Sequence, residues 1–166
     1  MANGFKALRH VGGGVQRLSE YPIKAAYATK IYSGDAVEIS TDQGYINRAA
    51  ATAAAQSVGV FLGVSYVSAQ GEIKYAPMWP GAQVGATDIR AIVTGDKNVS
   101  YKVEADAVTD ASVGLPCDLV ATVGNDSIGS SGMTVAMGAG AFVVRKILDD
   151  DANIVEVVAA KGLGEV

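Results

Sequence analysis

The chain has little of what catalytic and metal chemistry usually needs: in 166 residues it has one histidine, one cysteine, one tryptophan and four prolines. Cys117 is alone, so no intrachain disulfide framework can form and a cysteine-based metal site is excluded; the residue is expected as a small buried hydrophobe. His10 stands in a short basic, partly apolar N-terminal stretch, just before Gly12-Gly13-Gly14. A nucleophilic triad needs its base held to within about half an ångström, which a mobile histidine cannot provide. The serines of Gly129-Ser130-Ser131-Gly132 do not match a nucleophile elbow, and the triple glycine lacks the lysine and hydroxyl residue of a phosphate loop. Asp149, Asp150 and Asp151 offer hard oxygen ligands without the spacing or terminal glutamate of a calcium loop, and are expected as a charged hairpin tip that blocks edge pairing. Glu104 and Asp106 lie two apart on one strand face and are expected to meet solvent rather than form a glycosidase pair. No catalytic residue, cofactor or metal site is therefore expected.

Charge is also scarce. Charged residues make up 18% of the chain, below the roughly 25% of an average globular surface and interior combined, which leaves a surface suited to association. The net charge is −4 and the thirteen basic residues are scattered along the sequence, which argues against nucleic acid as the main partner. No segment reaches the roughly twenty apolar residues that span a bilayer, and residues 1–14 lack the apolar run of a signal peptide. Synthesis in a cytoplasm and no membrane partner are the expectation.

What the chain does have is short alternating segments punctuated by twenty glycines, with 49% hydrophobic residues to fill a core. Tyr101, Val103 and Ala105 alternate with Lys102, Glu104 and Asp106, the period of a half-buried strand. Strands are predicted over 24–31, 36–40, 45–48, 58–66, 89–93, 99–105, 141–148 and 153–160, with 89–93 and 99–105 as a hairpin. The alanine-rich run 49–55 is short for a helix and reads as a single turn or packed loop. Glycines at Gly59 and Gly63 mark a bulge or a close backbone approach. Turn signals every eight to twelve residues predict an all-β protein, a barrel or sandwich. Residues 1–14 read as a flexible arm hinged at the triple glycine, and 15–166 as a β-rich body, either one unit or two small units divided near residue 80.

The ordered set of segments resembles the head decoration, or capsid-stabilising (cement), proteins of tailed bacteriophages. The likeness runs through Ile31-Tyr32-Ser33-Gly34-Asp35-Ala36-Val37, Val58-Gly59-Val60-Phe61-Leu62-Gly63-Val64, Tyr101-Lys102-Val103-Glu104-Ala105-Asp106, and Val113-Gly114-Leu115 with Asp118-Leu119-Val120. It continues through Gly129-Ser130-Ser131-Gly132-Met133 and the strands near 143–148 and 155–158. Each piece is common alone; their order and spacing carry the likeness, which covers most of the chain after the arm. The resemblance implies a non-enzymatic virion structural protein on the capsid exterior, commonly a homotrimer, whose partner is the major capsid protein. The family offers no motif for residue-by-residue transfer. From the residues themselves, Phe5, Leu8 and Tyr21 are apolar contact candidates, and Lys6 and Arg9 are candidates for pairing with an acidic capsid surface. Trp79, held between Pro77 and Pro80, is either an exposed interface anchor or the cap of a barrel end. The rival reading is a carbohydrate-binding β-sandwich that stacks sugars on Trp79, Tyr75 or Tyr32.

Overall fold

A computed structural model describes residues 3–41, 44–50, 57–96, 98–149 and 151–160. The strand alternation at 99–105 is realised: Tyr101 and Val103 point into the core while Lys102 is exposed. The same period, repeated along the chain, builds two antiparallel six-stranded sheets and a two-stranded ribbon among the described residues.

Sheet A contains β1 (Lys6–His10), β10 (Val99–Glu104), β14 (Ile154–Ala159), β13 (Phe142–Asp149), β11 (Pro116–Val120) and β12 (Thr134–Met137), in that spatial order. Sheet B runs β2 (Leu18–Pro22), β9 (Thr87–Thr94), β6 (Ser57–Val67), β4 (Ala36–Ile39) and β5 (Ile46–Arg48), with β7 (Ile73–Ala76) paired to the far end of β6. The ribbon joins β3 (Ile31–Tyr32) to β8 (Met78–Trp79). A 3-10 turn spans Asp110–Ser112. The architecture is all-β and sandwich-like.

Two apolar clusters fill it, and neighbouring residues on one strand feed both. Ala36 and Val60 pack with Tyr101, Val103, Phe142, Val155 and Val157 of sheet A. Val37 and Phe61, one residue further along, pack with Ile23, Ile31, Trp79 and Val93 beneath the ribbon. A strand's two faces thus bind the two halves together, as a period of two demands. The chain crosses between the sheets twice, from β1 to β2 and from β9 to β10, so the organisation does not follow a division near residue 80. Strands β9 and β10 consequently lie in different sheets and do not pair as the predicted hairpin.

Gly59, with φ of 152°, lies where β6 passes the end of β9; a Cβ there would collide with the Thr94 carbonyl. The close approach predicted from its sequence context is therefore real. Residues 24–30, read as a strand, instead form turns and irregular chain leading to β3. The segment Gly129 to Gly132 is tied down: Ser131 is buried, and its backbone N–H bonds the Ser33 carbonyl at 2.9 Å. Most of the alanine-rich run, residues 51–55, and Asp150 of the aspartate run lie outside the described residues.

The largest correction concerns the N-terminus. Residues 6–10 are not an arm but the edge strand of sheet A, paired with β10 through Lys6 to Lys102 and His10 to Val99. The glycine tract is not a free hinge either. The Gly12 and Gly14 N–H groups both donate to Nδ1 of His10, at 3.2 and 3.0 Å, so the tract wraps the imidazole ring. With Nδ1 accepting, Nε2 carries the proton and faces the Asp96 carboxylate at 3.3 Å. His10 thereby fastens one crossover, after β1, to the other, before β10.

Candidate docking face

Of the six contact candidates, the structure brings three together. Lys6, Leu8 and Arg9 are exposed on β1, with Leu8 at the bulge between Ala7 and Arg9. The other three are structural. Phe5 is 1% exposed, stacked on Phe142 at 4.9 Å between ring centroids and edge-on to Tyr101 at 6.2 Å. Trp79 is wholly buried; its indole N–H donates to the Tyr27 carbonyl at 2.9 Å and its ring meets Tyr66 edge to face. It caps the sheet B core and anchors no interface. Tyr21 is half-buried on the inner side of sheet B, against the same core.

Strand pairing extends the β1 face across the sheet. Directly opposed residues in antiparallel strands project from the same side. Lys6 opposes Lys102, Lys102 opposes Glu156 and Glu156 opposes Lys146, so one row of side chains crosses four strands. Arg9 opposes Ser100 one step along and reaches over β10 to Glu156, its Nε and one terminal nitrogen each 3.0 Å from a carboxylate oxygen. Arg145, at the β13 bulge beside Lys146, also acts on Glu156 through its charge.

Glu156 is 1% exposed on this otherwise open face because Arg9 lies over it. Burial alone would push its carboxyl up; the hydrogen bonds and charge of Arg9, helped by Ser100 and Arg145, outweigh that and hold it below the usual glutamate value. The hydrogen bonds to Glu156, and then its charge, raise the Arg9 guanidinium in turn. Lys6, Lys102 and Lys146 have no salt-bridge partner among the described residues. Arg9 covers Glu156, and Lys6, Lys102, Lys146 and Arg145 lie on the same face.

Sequence reasoning placed Lys102 outward but gave no account of Lys146, Arg145 or Glu156. A signal was present: Glu156 is the single charge inside the apolar run Ile154 to Ala159, and such a residue needs a partner. Register, which supplies that partner, was not visible.

A second polar cluster lies between the ribbon and the loop before β12. Asp35, wholly buried, is forked by Arg48 at 2.7 and 3.2 Å, accepts the Ser131 hydroxyl at 2.5 Å and accepts the Tyr32 N–H at 2.9 Å. Arg48 also donates to the Thr122 carbonyl and lies over the Tyr32 ring. The Tyr32 hydroxyl donates to Asp126 at 2.7 Å, and burial, then that bond and the Asp126 charge, push its pKa up to about 12. The Ser131 hydroxyl donates to a carboxylate already paired with Arg48, and its oxygen accepts the Met133 N–H. This cluster ties the 121–132 loop to sheet B.

An open groove of about 440 Å³ borders the free edge of β1, lined by Lys6, Ala7, Gln16, Leu62, Pro77 and Ile128 among others. No group of three or more histidine, cysteine or acidic side chains gathers to hold a metal ion among the described residues. Nor does any described helix have the length and apolarity to cross a membrane. No protein-family model matches the chain, and neither a curated protein nor a solved structure matches it.

Proposed function

We propose that the protein is a virion structural protein that binds the outer surface of a phage capsid and stabilises the expanded shell. The observation that carries this reading is the gathering of Lys6, Leu8 and Arg9 on the exposed edge strand of an open sheet face. The all-β body and the resemblance of the ordered segments to those of decoration proteins support it. The protein so read binds and does not catalyse: His10 is committed to its glycine tract and Asp96, and Ser131 to Asp35.

The mechanism is linkage. A protein that binds the expanded lattice and not its unexpanded or broken forms stabilises that lattice by about RT ln(1 + [L]/Kd) per site, and many sites multiply a modest effect. Association into a homotrimer would present three faces at once, raising avidity by roughly 10² to 10⁴ over a single face. Contact is made by a preformed sheet, so less conformational entropy is lost on docking than an arm that orders on contact would lose.

Sugar binding is less well supported. Of the three rings it would use, Trp79 and Tyr32 are buried, and Tyr75 alone is exposed, at 80%. Co-sedimentation with expanded capsids stripped of their decoration layer tests the reading. Saturable binding in a fixed ratio to the major capsid protein is expected; absence of binding would overturn it.

A further inference from the structure

We propose that the outer face of sheet A is the docking surface, and that its partner is a protein surface rich in exposed carboxylates. The proposal rests on the decoration reading only in taking that surface to be a capsid.

The face is unusual for this chain. It collects Lys6, Lys102, Lys146, Arg9 and Arg145 in a protein whose net charge is −4. Neighbouring strands lie about 4.8 Å apart, so the row from Lys6 to Lys146 spans roughly 14 Å. Within it Lys6 directly opposes Lys102, a like-charge pair that disfavours the strand pairing it sits on. Glu156, the carboxylate directly opposite Lys102, is buried and committed to Arg9. An arrangement that opposes pairing in the free protein is relieved when carboxylates of a partner approach the lysines.

The shape favours a macromolecular surface over a small anion, because the cations stand in a row on a sheet and not around a cavity. Between a protein and a nucleic acid, the rim decides. Glu104 and Asp149 both oppose Ile154, hence project from the same face beside the lysines. Carboxylates there repel a continuous phosphate backbone, while a protein surface of mixed sign can pair with them. Charge pairs of this exposed kind govern encounter rate and orientation more than they add affinity, so the contact should be sensitive to salt.

The test uses the full chain and two double variants of equal charge change. Lys102→Glu with Lys146→Glu reverses the face; Lys24→Glu with Lys74→Glu reverses two exposed lysines of the other half. On expanded capsids the face variant is expected to bind at least tenfold more weakly than wild type, with a shallower salt dependence, and the second variant close to wild type. Equal losses in both, or no loss in the face variant, would overturn the proposal while leaving the decoration reading intact. If wild type fails to bind capsids, the decoration reading fails and poly-L-glutamate at low salt serves as the separate probe. Retention lost in the face variant supports an acidic protein partner; no retention, or stronger retention of duplex DNA, overturns it.

Discussion

Arg9 of β1 and Glu156 of β14 form a two-point ion pair, 3.0 Å at each contact, across the intervening strand β10. The pair fixes the N-terminal strand to the C-terminal one and covers a carboxylate that would otherwise face solvent. It also sets the position of the cation row, since Lys6 and Arg9 share one short strand.

Removing the cation should therefore loosen β1. Arg9→Ala is expected to lower the denaturant midpoint of the fold, and only modestly, because Arg9 itself is more than half exposed and its pairing is screened by solvent. Denaturant unfolding reads the stability, and amide exchange over residues 6–10 should rise in the same variant. Unchanged exchange would mean that the fork does not hold the strand.

Acid should weaken the fold in a defined direction. Glu156 and Asp126 both have folded pKa values below their ordinary 4.5 and 3.8. A depressed carboxylate contributes stability that is present above its unfolded value and is lost as pH falls through the folded one. The melting temperature is expected to stay level from pH 7 to about 5 and to decline below about 4.5, with a smaller decline in Glu156→Gln.

Asp35 should be the most costly polar residue to remove. It is fully buried, and Asp35→Ala leaves Arg48, only 14% exposed, without its counter-charge. A loss of about 3–5 kcal/mol is expected by denaturant unfolding. The 121–132 loop, held through Ser131 and Arg48, should become the first protease-sensitive segment.

Two glycines should respond differently to the same change. Gly59→Ala places a methyl against the Thr94 carbonyl and is expected to cost about 3 kcal/mol or more. Gly13→Ala meets open space and bears only the penalty of its positive φ, about 1–2 kcal/mol. Melting temperatures of the two variants give the comparison.

Cys117 should be silent in the native state. Burial, with the Asp118 charge second, pushes its thiol up to about 12, so almost no thiolate is present at neutral pH. A disulfide exchange reagent is expected to label it only after denaturant is added.

Much of the fold was legible because its signal is local. The alternation around Tyr101 and Val103, the apolar run from Val58 to Tyr66, and the closing pair near 143–148 and 155–158 all became strands at or close to the expected bounds. Long-range pairing was not legible. Phe5 and Arg9 looked like parts of an arm because Phe142 and Glu156, the residues that hold them, lie near the other end of the chain, in the case of Arg9 147 residues away. Trp79 illustrates the same limit: two flanking prolines fixed its extended backbone, but the covering residues Tyr66 and Tyr27 decided that it is core. The cation row was half visible, since Lys6 and Arg9 could be named, whereas Lys102 and Lys146 join them only through register.

The most direct measurement of the central claim is the melting temperature of the expanded shell against concentration of added protein. Linkage predicts a rise that continues, with the logarithm of free protein, after the sites are filled. A shell that melts at the same temperature with and without bound protein would contradict a stabilising role.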